Sequence, residues 1–235
     1  MGKNVIVACD FSSREDTLSF LEKLGEARPY VKIGLELFYT AGPDMVRELK
    51  DRGHQVFLDL KLHDIPHTVQ RTMAALTRLG ADIINVHAAG TCEMMQAALA
   101  GAERPDGTRP LVIAVTQLTS TSEERMRNEL LITATMPETV SAYAINARHA
   151  GLDGVVCSPL EAPLIHRNCG SGFLTVTPGV RFADEDLGDQ VRVATPARAK
   201  ELGSDYIVVG RPITRAADPL AAWQRCMREF VDEGE

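Results

Sequence analysis

The sequence has no surplus of positive charge. Its 235 residues hold 25 Lys and Arg against 32 Asp and Glu, a net charge of −7 at pH 7. With no extended basic stretch, a nucleic acid polymer is not an expected partner. Long apolar runs are missing too. None reaches the roughly 18 residues of a spanning helix, so no membrane partner is expected. The opening MGKNVIVACDFSS has a short apolar run that ends at Asp10 and shows no small-residue cleavage site, so a signal peptide is not expected. The five cysteines, Cys9, Cys92, Cys157, Cys169 and Cys226, are odd in number and contain no CxxC pair. Free thiols in a reducing cytoplasm are the plain reading, with a catalytic thiol as the alternative. The six histidines form neither HxH nor HExxH. His63 and His67 are four apart, but Pro66 lies between them at a strand-to-helix joint, so they read as structural or solvent-facing. His87 reads as a satisfied core histidine. No metal site is expected.

What is present is a regular alternation. Hydrophobic residues make up 45% of the chain, enough for a sizeable core. Apolar β-rich runs occur at 4–10, 30–34, 56–61, 82–88, 110–116, 153–158, 173–178 and 205–210. Helical periodicity fills the segments between them. In PHTVQRTMAALTRLG, Val69, Met73 and Leu76 share one face, and Pro66 suits a first helical turn. Ser12 with Glu15, and Thr121 with Glu124, have capping-box spacing. Gly80-Ala-Asp82, Gly151-Leu-Asp153 and Gly203-Ser-Asp205 each end a helical run and open a strand, as Gly does after a helix. No Pro- or Ser-rich linker and no low-complexity stretch interrupts the series, so residues 1–235 are expected to form one domain.

Eight strands with helical crossovers predict an α/β fold with parallel strands, a TIM (β/α)8 barrel. The rival is an open doubly wound sheet, which usually carries a Gly-rich turn after its first strand. Here the first strand runs into DFSSRED, which has no glycine.

One strand, VFLDLKLHD, carries acid, base and acid where a core strand should be apolar. Alternation puts Leu58, Leu60 and Leu62 on one face and Phe57, Asp59 and Lys61 on the other. In a barrel the charged face points to the axis near the C-terminal mouth, where active sites form. The same phase puts Lys32 inside strand two and Asp10 at the end of strand one. Asp10, Lys32, Asp59 and Lys61 therefore gather at the mouth, with Asp64 just beyond. A structural ion-pair network is one reading of that cluster, and a functional site is the other. Late in the chain, FLTVTPGVR and DYIVVGRPI end strands seven and eight, after which barrels often bind phosphate. Gly179 and Gly210 allow a backbone N–H to approach an oxyanion, or mark ordinary turns. Arg211 suits a phosphate. The long polar segment VRFADEDLGDQVRVATP between them reads as a lid.

DLKLHDIPHTV with its DxKxxD pattern, TPGVR and VVGRPI resemble orotidine 5′-phosphate decarboxylases of the bacterial type. The resemblance runs from VACD through YVKIG, NVHAAG and AVTQLTS to the final helix. It implies a cofactor-free decarboxylation of orotidine 5′-phosphate to uridine 5′-phosphate, the last step of de novo pyrimidine nucleotide synthesis, in a cytoplasmic homodimer. Lys61 would donate a proton to C6 of the pyrimidine. Asp59 would lie beside the departing carboxylate, and Lys32 would bind the ribose and orient Asp59. Asp10 would bind a ribose hydroxyl, and Thr119 (or its neighbour Ser120) would meet the base edge. Gln190, Gly210 and Arg211 would hold the phosphate, with Arg181 on the lid side. Asp64 and Thr68 would complete the neighbouring subunit's site. Two alternatives stand beside this. One is a Mg²⁺-dependent decarboxylase of 3-keto-L-gulonate 6-phosphate, which shares the DxKxxD strand but holds its metal partly through a Glu on strand two, where this chain has Lys32. The other is a catalytically silent phosphate-binding barrel.

Overall fold

The computed structural model describes residues 2–183 and 193–231. Eight parallel strands close in sequence order: β1 (Asn4–Ala8), β2 (Tyr30–Ile33), β3 (Val56–Leu62), β4 (Ile83–His87), β5 (Leu111–Val115), β6 (Gly154–Val156), β7 (Leu174–Thr177) and β8 (Tyr206–Val209). β8 returns to β1 with Ile6 opposite Val208. The expected TIM barrel is therefore the observed fold. Each predicted strand is present; seven are trimmed by one or two residues where the backbone turns into loop, and β3 runs one residue further than expected, to Leu62.

Alternation sorts the strand residues into two apolar groups. Ile6, Tyr30, Phe57, Ile83, Ile113, Val176, Tyr206 and Val208 fill the barrel interior. Val5, Val7, Val31, Ile33, Leu58, Ile84, Val112 and Ile207 face the helices in a second, larger cluster. The interior is thus a packed core, leaving only the mouth open to chemistry. The helix Pro66–Thr77 buries Val69, Met73 and Leu76, the face expected from its spacing.

The Gly-x-Asp joints have a definite job. Gly80, Gly151 and Gly203 all adopt positive φ, at 87°, 91° and 84°. A side chain is disfavoured there, and glycine ends the helix without that cost. The aspartate that follows caps the strand before it. Asp82 accepts from the Val56 N–H, Asp153 from Val112 and Asp205 from Thr175, at 2.7, 2.7 and 2.8 Å. The carboxylates just before three even-numbered strands thus take an amide at the start of three odd-numbered ones, the first of β3 and the second of β5 and β7.

Two helix starts differ from expectation. The first helix, Arg14–Glu22, is capped by Ser13, whose Oγ accepts from the Asp16 N–H, and not by Ser12. The helix Glu123–Asn128 is capped by Ser122, not Thr121. Both sites have adjacent hydroxyl residues followed by adjacent acids or a base, so spacing alone leaves the phase open by one. Full capping boxes occur instead at Thr135 with Glu138 and Ser158 with Glu161.

Candidate active site

The first three strands bring four charged side chains to the mouth: Asp10 just past β1, Lys32 on β2, and Asp59 and Lys61 on β3. Lys32 lies opposite Ala8 in register, so its stem rises towards Asp10, the next inward position on β1. Its Nζ meets Asp10 Oδ1 at 2.8 Å and Asp59 Oδ2 at 3.3 Å. The other oxygen of Asp59 takes the Lys61 Nζ at 2.7 Å. The result is an unbroken row of alternating sign: Asp10, Lys32, Asp59, Lys61. Lys32 and Asp59 are each only 8% exposed, so each depends on the other for its charge.

The electrostatics follow. Burial opposes the Asp59 carboxylate, but the Lys32 and Lys61 ammonium groups outweigh it and hold its pKa below the usual aspartate value. Burial likewise opposes the Lys32 charge, and the Asp59 and Asp10 carboxylates overcome it and raise its pKa. Both groups are therefore charged across the neutral range. Gly34 makes room for the row. A Cβ there would stand 3.0 Å from Asp10 Oδ1 and 3.2 Å from Lys32 Nζ. A methyl group at 34 would press on the ion pair.

The mouth encloses a cavity of about 700 Å³. Its floor is Phe57, from the barrel interior. Asp10, Lys32, Asp59 and Lys61 line one side. Gly179, Arg181, Gly210 and Arg211 line the side formed after β7 and β8, and Thr119 and Ser120 both line the wall after β5. Arg215, one turn beyond Arg211, adds a further cation that the sequence reading did not name. A row of fixed charges at one end and guanidinium groups at the other suit an elongated anionic ligand with a phosphate at its far end.

Two expected residues fall elsewhere, and a third is not among the described residues. Asp64 and Thr68 are exposed and do not line this cavity. The Asp64 carboxylate accepts from the Ile65 N–H at 2.7 Å, at the joint before the helix Pro66–Thr77. Gln190 lies outside the described residues, as does the middle of the segment read as a lid. The two ends of that segment are tied together: the Arg181 N–H donates to Ala194 O, and the Ala194 N–H donates to Gly179 O, both at 3.1 Å.

Other candidates play no visible part. Cys9 adjoins Asp10, but complete burial pushes its thiol up to about 12, so it stays protonated. None of the five cysteines is in a disulfide. His87 packs against His63 with ring centroids 5.5 Å apart. Burial, then the charges of His63 and Lys61, lower its pKa, which keeps it neutral. Among the described residues no group of His, Cys, Asp or Glu is arranged to hold a metal, and no helix is long and apolar enough to cross a membrane.

Sequence reasoning missed Asn85, a fully buried residue at the centre of β4. Its Nδ2 donates to Asp59 Oδ1 at 2.7 Å, and its Oδ1 accepts from the Lys61 N–H at 2.8 Å. The available signal was an amide in the inward phase of an otherwise apolar strand. Lys61 itself has φ of 52°, an uncommon conformation for a residue other than glycine.

Comparison with known proteins agrees with this geometry. Residues 3–226 match the family model described as orotidine 5′-phosphate decarboxylase / HUMPS family. A protein from Geobacillus sp. (strain WCH70), named orotidine 5′-phosphate decarboxylase, is 55% identical over 236 residues and covers 99% of each chain. One of the same name from Bacillus caldolyticus is 55% identical over 228 residues, 96% of this chain and 93% of the other. The crystal structure of orotidine 5′-phosphate decarboxylase from Lactobacillus acidophilus superposes with a TM-score of 0.88 at 44% identity, over 98% of this chain and 100% of that one.

Proposed function

We propose a division of labour in this mouth from the premise that the chain belongs to the orotidine 5′-phosphate decarboxylase / HUMPS family. The chain is a carboxy-lyase that converts orotidine 5′-phosphate to uridine 5′-phosphate and CO₂. The observation that carries the residue roles is the Asp10–Lys32–Asp59–Lys61 row. The C6 carboxylate of the substrate lies beside Asp59. When the C–C bond breaks, CO₂ departs and the electron pair stays on C6. The Lys61 ammonium faces that charge, stabilises it and transfers a proton to C6. Lys61 then regains its proton from solvent, so the site returns to its starting state. Lys32 holds Asp59 in place and, with Asp10, takes the ribose hydroxyls. Thr119 meets the base edge.

The phosphate is held by Arg211, Gly210, Arg181 and Gln190. Arg211→Ala should lower kcat/KM for the nucleotide by about 10²-fold or more, the loss of a bidentate charge-assisted contact. The phosphate-free nucleoside should be turned over equally by variant and wild type. Equal losses on both substrates would assign Arg211 to the fold.

No metal takes part in this scheme. Lys32 stands where a metal-binding acid would be needed, and a second cation beside it is disfavoured. Exhaustive chelation should therefore leave the decarboxylation rate unchanged. Loss of activity with chelator and its return with Mg²⁺ would instead support the Mg²⁺-dependent sugar-phosphate reading.

Assembly belongs to the same proposal. Two chains pair about a two-fold axis, and Asp64 and Thr68 of each complete the other's site. Exposure of both residues supports this, as does the 66% exposed Ile65 between them. Cysteines kept out of disulfides support a cytoplasmic location.

A further inference from the structure

β3 and β4 lose register beside the catalytic residues. Leu58 pairs with Ile84 and Leu62 with Val86, so β3 advances four residues while β4 advances two. Asp59, Leu60 and Lys61 therefore face a single residue, Asn85. A bulge of this kind leaves backbone groups without ladder partners and re-aims the side chains it carries. Here the Asn85 side chain replaces the missing partner. Its orientation is fixed by what it touches. The Lys61 N–H needs an acceptor and the Asp59 carboxylate needs a donor, so the amide fits only with Oδ1 towards Lys61 and Nδ2 towards Asp59. Asp59 Oδ1 also takes the Lys61 Nζ. One amide thus closes a ring through the backbone and the side-chain end of the same lysine.

We propose that Asn85 is a positioning residue for the decarboxylation. It holds Lys61 in its left-handed backbone conformation and fixes the Asp59 oxygen that receives the lysine ammonium. It does not touch the substrate; it acts through Asp59 and Lys61. This rests on the reading of Lys61 as proton donor. The charged groups at this position are Asp59 and Lys61 on β3, with Lys32 on β2 behind Asp59. His87 is two residues further along β4, and the β5 residue paired with Asn85 is the apolar Ile113.

Two variants test it. Asn85→Leu keeps the branched outline, with a somewhat larger side chain, and removes both hydrogen bonds. Its kcat should fall on the order of 10²-fold, the usual effect of misplacing a reacting group by about 1 Å, with KM for orotidine 5′-phosphate little changed. Asn85→Asp keeps the shape but sets a carboxylate against Asp59. Two carboxylates that close share a proton, and one of them titrates at raised pH. When protonated, the new acid donates to Asp59 as the amide did. The kcat of Asn85→Asp should therefore rise at least about tenfold between about pH 8 and about pH 6, while that of the wild type does not. Wild-type kcat in Asn85→Leu, or a pH profile of Asn85→Asp parallel to wild type, would overturn the proposal. Failure of both variants to fold would assign Asn85 to barrel stability and overturn it equally. An active Lys61→Ala would instead undo the underlying reading of Lys61, so the two failures are distinguishable.

Discussion

Lys61→Ala should lose on the order of 10⁴-fold or more in kcat on orotidine 5′-phosphate while keeping its fold. Two effects leave together. A positioned general acid contributes about 10²–10⁴-fold, and a charge aimed at the developing carbanion contributes about 10²–10³-fold. The fold should survive because Asp59 is not left alone: Lys32 and the Asn85 amide still satisfy it. A companion variant separates strain from chemistry. Lys61 sits at φ of 52°, where glycine is at ease and other residues pay roughly 1 kcal/mol. Lys61→Gly should therefore be as inactive as Lys61→Ala but at least as stable in thermal unfolding. Near-normal kcat in either variant would remove Lys61 from the mechanism.

A mixture of two inactive proteins should regain activity. Lys61→Ala and Asp64→Ala are each expected to be nearly inactive, for different reasons. If Asp64 completes the partner's site, a mixed dimer has one site with both residues lost and one with both intact. After random re-pairing half the dimers are mixed, so about a quarter of wild-type sites return. The expectation rests on where Asp64 lies. It is exposed, outside the cavity lined by Lys61, at the turn leading outward into the helix Pro66–Thr77. No recovery despite demonstrated subunit exchange would mean that Asp64 acts within its own chain.

Much of this architecture was legible in the sequence because it depends on period alone. Strand alternation put Asp59 and Lys61 on the inner face with Phe57, and the same phase found Lys32 and Asp10. Turn chemistry marked the Gly-x-Asp joints. It did not tell what the aspartates do, because each caps an amide on a strand about 26 to 41 residues earlier in the chain. Asn85 left a trace, an inward amide in an apolar strand, but its role and the positive φ of Lys61 were illegible for a related reason. Both come from the mismatch in length between β3 and β4 as they pair, and a bulge has no signature in either strand read by itself. The caps at Ser13 and Ser122 were displaced by one residue because neighbouring hydroxyls compete for the same role. The Gly34 clearance was hidden because a glycine after a strand usually signals only a turn, whereas here its missing side chain leaves space for the Asp10–Lys32 pair.

The central claim is that this mouth decarboxylates orotidine 5′-phosphate without a metal, through the Asp10–Lys32–Asp59–Lys61 row. The most direct test adds orotidine 5′-phosphate to the purified protein with and without a chelator. The loss of substrate absorbance is followed, and CO₂ and uridine 5′-phosphate are measured. The account predicts equal rates in both arms and one CO₂ released per uridine 5′-phosphate formed. An unchanged absorbance, or turnover seen only when Mg²⁺ is supplied, would contradict it.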